Sequence, residues 1–169
     1  LEAEARFRAG LTAGDRNDFR LAADAYTAVL AERPNGWDVA KAGALMYQRV
    51  LAEIKAGSGA AGEVIDALAR DPSFDLENRW QAEWSLARAL QLEGDSGVQA
   101  AYTRVNRLLR EPVPRDSSLQ PELRVRMAWL QARLALDSKE AEAAVRLADA
   151  LAASLGEIEI GLRTEIAST

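Results

Sequence analysis

The chain has 169 residues, 49% of them apolar, and a formal net charge of -5; it is long enough to bury a core and too apolar to stay disordered. It contains no Cys and no His, which excludes disulfides, thiolate nucleophiles, imidazole bases and the usual zinc ligand sets. The acidic balance argues against non-specific nucleic-acid binding, and no apolar run approaches the roughly 20 residues that cross a bilayer.

Ala and Leu supply 56 residues against 14 Val plus Ile, a bias that favours helices over strands. Breakers then divide the chain into helices expected at 2–13, 18–33, 37–56, 60–70, 75–93, 97–110, 119–136, 139–155 and 158–167. The punctuation is Gly14-Asp15, Pro34-Asn35-Gly36, Gly57-Ser58-Gly59, Asp71-Pro72-Ser73, Gly94-Asp95, Pro112 to Asp116, Asp137-Ser138 and Gly156. The longest break, Glu111 to Ser118, holds two prolines and is the best hinge candidate. Charge is uneven: residues 1–72 carry -2, residues 73–136 carry +1 and residues 137–169 carry -4. An acidic partner is therefore best received near the centre.

The second helix of each pair carries a recurring pattern. Ala22, Tyr26, Val29, Leu30 and Pro34 have the spacing of Ala60, Val64, Ala67, Leu68 and Pro72. Ala101, Val105, Leu108, Leu109 and Pro112 follow, and Ala143, Leu147, Ala150 and Leu151 close the series. The opening alanines lie 38, 41 and 42 residues apart, the length of two helices with their turns and thus a solenoid period. The alanine lets paired helices approach, and the larger residues form a stripe that fills the space between pairs.

This pattern resembles the tetratricopeptide repeat, A-x-x-x-[FY]-x-x-A-x-x-x-x-P. Leu86-Ala87, Leu90 and Gly94-Asp95 match the family's first helix in the third unit, and Met127, Leu130 and Leu134 match it less fully in the fourth. The period is near 40 where the family has 34, and Gln131 stands where a small residue is expected. Longer repeats of this kind are similar to those of bacterial outer-membrane assembly lipoproteins, and HEAT-like pairs have a similar length. The resemblance implies an all-α, right-handed α-α superhelix of antiparallel helix pairs, about four pairs plus one extra helix. Its units fall near 1–34, 35–72, 73–116, 117–155 and a partial 156–169 within a single domain. The lipoprotein similarity slightly favours a periplasmic or cell-envelope location over the cytoplasm.

Enzyme motifs fare poorly. Gly57-Ser58-Gly59-Ala60-Ala61-Gly62 satisfies G-x-G-x-x-G, but a dinucleotide site needs a strand before the glycines and a parallel sheet around them. Leu45 to Lys55 is helical in period, so the glycines read as a turn between helices. Carboxylate pairs such as Glu157 and Glu159 sit at expected helix starts, where the helix dipole favours them. The chain is therefore expected to be no enzyme and to need no cofactor or metal.

The resemblance implies a protein partner held on a concave surface. The family's carboxylate clamp, which needs Lys, Asn and Arg, is absent: its places hold Gln81, Trp84, Ser85 and Arg88 in the third unit and Val125, Ala128, Trp129 and Ala132 in the fourth. Tryptophan stands out instead. Trp80 and Trp84 share one face of their helix while Ala82, Leu86, Ala89 and Leu90 form another, so the helix is either buried on both sides or shows one to a ligand. Trp37 is expected to pack a corner after a turn. Arg104, Arg107 and Arg110, with Arg115 nearby, read as a solvated face ending in cations. Arg126, Trp129 and Arg133 fall on one stripe beside the core positions Leu123, Met127, Leu130 and Leu134. Either arginine stems cover the indole by cation-π contact, or the stripe receives an acidic peptide or helix. Trp80, Trp84, Arg88, Arg126, Trp129 and Arg133 are the candidate partner-binding residues. The rival role is structural, with apolar ends such as Ile158, Ile160, Leu162 and Ile166 stacking on further repeats or on another copy.

Overall fold

A computed structural model describes residues 2–32, 37–57, 59–114, 117 and 119–154. Among these the regular structure is entirely helical, with no strand: α1 (Glu2–Ala13), α2 (Arg16–Ala31), α3 (Val39–Lys55), α4 (Ala61–Leu68), α5 (Leu76–Gln91), α6 (Asp95–Arg110), α7 (Pro121–Asp137) and α8 (Ala141–Ser154). Each of the first eight helices expected from sequence is present. The ninth, at 158–167, lies outside the described residues, as do the Pro34-Asn35-Gly36 turn, Ser58 and Arg115, Asp116 and Ser118 of the hinge candidate.

Local chemistry sets the starts. Asp15 caps α2 by accepting from the Asn17 N–H at 2.8 Å, and Asp38 caps α3 by accepting from the Ala40 N–H at 3.0 Å. Asp75 does the same for α5, accepting from the Asn78 N–H at 2.8 Å, and Pro121 occupies the first turn of α7, where a missing N–H costs nothing. Helix α6 starts two residues earlier than expected. Gly94 takes φ 85° and turns the chain, and Gly97, where the helix was expected to begin, is a buried residue inside α6. A Cβ there would collide with the Leu90 carbonyl oxygen; the glycine is what lets α6 pass that close to α5.

The chain divides into two compact units, with the division inside α5 between Leu86 and Ala87. In the first unit α1 packs on α2, α2 on α3 and α3 on α4. Its core gathers Phe7, Phe19, Ala22, Ala23, Tyr26 and Ala52, with the Phe7 and Phe19 rings edge to face at 5.4 Å, an arrangement worth about 0.5–1.5 kcal/mol beyond area alone. The Tyr26 hydroxyl donates to Glu4 Oε2 at 3.1 Å, and Arg8 Nε donates to Glu4 Oε1 at 2.8 Å. Burial, and then the Glu4 carboxylate, push the Tyr26 phenol up to about 12. The bond from Arg8, followed by that from Tyr26, holds Glu4 below the usual carboxylate range.

In the second unit α6 packs on α7 and α7 on α8. Leu123, Met127, Leu130 and Leu134 are buried, as their spacing requires, and Val105 and Leu108 of α6 are buried with them. Two polar bonds fix the helices along their length: Gln131 Nε2 donates to Asn106 Oδ1, and Gln91 Nε2 donates to Asp137 Oδ2 at 2.6 Å.

The register that the sequence pattern assigns needs correcting in α4 and α8. Ala22 and Tyr26 are buried, as are Ala101, Val105 and Leu108, but Val29 is exposed. In α4 the buried residues are Ala61, Ile65 and Leu68, while Ala60 and Ala67 are exposed. In α8 they are Ala144 and Leu151, whereas Ala150 is exposed and Ala143 and Leu147 are half-buried. The inward alanine is thus one residue later than the sequence pattern places it. Ala60 is the residue before the first turn of α4, so the proline-based spacing misaligned that unit by about 100° of helix rotation.

Candidate partner-binding site

An open groove of about 460 Å³ lies between α7 and α8 in the second unit. Trp129, Ala132, Arg133 and Leu136 line it from α7 at i, i+3, i+4 and i+7, the spacing of one helix face. Ala141, Ala144, Val145 and Ala148 line it from α8 at the same intervals. Half of its lining residues are alanines, Ala132, Ala141, Ala144, Ala148 and Ala152, which allow another helix to come close. Leu136 is 54% exposed and Val145 60% exposed, so apolar surface here faces solvent on both sides of the groove.

Trp129 is half-buried, and Arg126 and Arg133 beside it are exposed. Trp129 and Arg133 of the stripe read from sequence therefore line the groove, beside the buried row Leu123, Met127, Leu130 and Leu134, while Arg126 lies one turn earlier and is not among the lining residues. Arg133 Nε sits 3.3 Å from Asp137 Oδ1, and Asp137 is itself held by Gln91. That pair fixes the arginine stem along the groove and partly neutralises its charge. A partner carboxylate must share Arg133 with Asp137.

The other candidates are placed differently. Trp80 is 1% exposed; it is a core residue and offers a partner no surface. Trp84 is half-buried and Arg88 exposed. Trp80 and Trp84 belong to the first unit and Arg88 to the second. Trp37 packs under Lys41, whose Nζ lies 5.5 Å from the ring centroid. Arg107 and Arg110 are exposed and end α6, as dipole complementarity favours, with Arg104 half-buried.

Sequence reasoning found one wall of the groove and missed the other. The signal on α8 was present: Ala141, Ala144, Val145, Ala148 and Ala152 keep helical spacing with no charge among them, but in so alanine-rich a chain that pattern reads equally well as core.

The glycine-rich segment between α3 and α4 has helix α3 before it where a dinucleotide site needs a strand. Gly57 takes φ 71°, the turn conformation that ends a helix. Among the described residues no cluster of acidic side chains is disposed to hold a metal, and no helix is long and apolar enough to cross a membrane. No protein-family model, no curated protein and no solved structure matches this chain.

Proposed function

We propose that the chain is a non-enzymatic protein-interaction scaffold, built of tetratricopeptide-like helix pairs stacked as a right-handed superhelix, and that it receives a partner's helix or peptide at the α7 edge. The observation that carries this reading is the apolar groove between α7 and α8, lined by half-buried Trp129 and exposed Arg133, with Arg126 exposed one turn earlier on α7. Indole and guanidinium groups together are the side chains most often found at the energetic centre of interfaces. The lack of Cys and His leaves few routes to nucleophilic or acid-base catalysis.

The test uses a synthetic amphipathic helix with a leucine stripe flanked by glutamates, and the same helix with lysines in their place. Tryptophan fluorescence reports binding. The glutamate peptide binds more tightly, and Arg126→Ala with Arg133→Ala weakens it by about tenfold, equivalent to about 1.4 kcal/mol, with circular dichroism unchanged. Equal affinity for both peptides, or no change in the double variant, removes the site.

Leu11 and Val29, large apolar residues exposed on α1 and α2, favour a second reading in which the chain stacks on another copy or on further repeats. Light scattering over a dilution series separates the two, because only stacking depends on protein concentration.

A further inference from the structure

Helix α8 is itself a helix of the kind the groove beside it suits. Ala141, Val145, Ala148 and Ala152 line the groove and are exposed, an apolar stripe at i, i+4, i+7 and i+11. Buried Ala144 and Leu151 mark one edge of that stripe. On the other edge, at 100° per residue, Asp149 lies 40° beyond Val145 and Glu142 60° beyond it. Both acids are exposed, Glu142 with 97% of its side chain accessible. The α7 side carries the opposite sign: Arg133 is the one charged side chain among the described residues that line the groove.

The two borders also match along their length. Helices α7 and α8 are joined by residues 138–140, a connection short enough to make them antiparallel neighbours. Arg133 is four residues before the end of α7 and Val145 four residues after the start of α8, so the two are level, and Arg133 lies lengthwise between Glu142 and Asp149. A two-fold axis running along the groove preserves that level. It lays α7 of each copy over α8 of the other and brings each Arg133 between the two acids of the opposite copy. A two-fold contact requires a surface that is its own complement, and this one has a cation on one border, acids on the other and apolar groups between. Within one chain the same charges meet only neighbours on their own helices, Arg133 with Asp137 at 3.3 Å and Glu142 with Arg146 at 4.0 Å. Exposed pairs of this kind are weak enough to exchange.

We propose that two copies of the chain pair through this face, the two grooves closing on each other as a four-helix bundle with Leu136 and Val145 inside it. The proposal rests on the scaffold reading, in which the groove takes an acid-bordered helix, and names that helix as α8 of a second copy. Faces of 17 and 14 residues give a contact near the lower size limit of specific interfaces, with dissociation on the order of micromolar or weaker.

Sedimentation of the full chain from about 500 µM to about 1 µM spans that range. Arg133→Glu raises the dissociation constant at least about tenfold, and so does Glu142→Lys combined with Asp149→Lys, because each sets like charges against each other across the axis. An equimolar mixture of the two variants associates again, since both contacts of the mixed pair are once more opposite in sign; this recovery also shows that neither variant has lost its fold. A parent chain that stays monomeric throughout overturns the inference. So does association that survives either charge reversal, a mixture that does not recover, or association abolished by Leu11→Glu, which places the contact at α1 instead. The glutamate-flanked peptide, added at about 1 µM chain, keeps the two readings apart. If it binds while no pairing is seen, the scaffold reading stands and this inference falls; if neither occurs, both fall.

Discussion

Gly43 is the sharpest point at which the packing of the first unit can be tested. It is buried on α3, in the interior of a helix, where Ala outperforms Gly by about 0.8–1 kcal/mol on intrinsic propensity. Propensity alone therefore says that Gly43→Ala stabilises. The structure says the opposite. A Cβ at this position would collide with the Ser73 carbonyl oxygen and lie 3.0 Å from Asn78 Nδ2. The carbonyl belongs to the backbone of the turn before α5 and cannot rotate away. Asn78 donates from Nδ2 to Asp75 Oδ1 at 2.9 Å, so pushing it aside also disturbs the cap of α5. Forcing a methyl into a filled site costs about 1–3 kcal/mol and loosening a cap about 1 kcal/mol; against the propensity gain, the net is a loss of about 1–3 kcal/mol. Gly59→Ala is the control, because nothing lies within 4 Å of its Cβ position and its φ is not positive; there the smaller entropy of the unfolded chain gives a gain of about 0.4–1 kcal/mol. Thermal unfolding followed by circular dichroism reads both, at about 2–4 °C per kcal/mol for a chain of this size. A Gly43→Ala protein that melts at or above the parent temperature refutes the close approach of α3 to the 73–78 segment.

Trp80→Ala removes a fully buried indole and costs about 3–5 kcal/mol, whereas Trp129→Ala, at a half-buried rim position, costs less than half as much; urea unfolding of the two variants checks the ranking. Tyr26 gives a pH signature: its folded-state value of about 12 lies above the ordinary tyrosine value of about 10. Its contribution is complete below pH 10 and is lost as the pH rises through 12, because the unfolded chain releases the phenolic proton first. Tyr26→Phe lacks this alkaline loss, and a variant whose melting temperature falls with pH just as the parent's does would falsify the assignment.

Helix positions were legible because their signals are local. Asp15 was legible as punctuation, whereas Asp38 and Asp75, which cap α3 and α5, fell inside the helices expected at 37–56 and 75–93 although their side-chain geometry depends only on the next three residues. Gly94 and Gly97 were harder: both are glycines near a helix start, and only tertiary contact reveals that the first turns the chain while the second is a packing residue. The register of α4 and α8 failed for a related reason. Each offers two readings one residue apart, Ala60, Val64 and Ala67 against Ala61, Ile65 and Leu68 in α4, and Ala143 against Ala144 in α8. Adjacent apolar residues make the hydrophobic pattern degenerate, and the choice is settled by where the helix begins and what it meets. On α7 the row Leu123, Met127, Leu130 and Leu134 has no such competitor on a neighbouring face, and its burial followed the spacing. Trp80 and Trp84 show the limit again: four residues apart on one helix, they separate into a core side chain and a half-buried one, a distinction that no periodicity contains.

The ion pair already made by Arg133 makes the interaction reading more specific. Arg133 reaches Asp137, whose other carboxylate oxygen accepts from Gln91. A partner's glutamate at Arg133 competes with an existing ion pair, one of the exposed kind worth about 0.2–1 kcal/mol. Asp137→Asn removes that competition while leaving an amide oxygen to accept from Gln91, and it takes a negative charge out of the last turn of α7, where the helix dipole disfavours it. The substitution therefore raises affinity for the glutamate-flanked peptide by up to about fivefold at low salt, with the gain fading as ionic strength screens the rim. If Asp137→Asn instead weakens that peptide while the helix content holds, Arg133 serves to fasten α7 and not to meet a carboxylate, and the charge recognition at this edge rests on Arg126 alone.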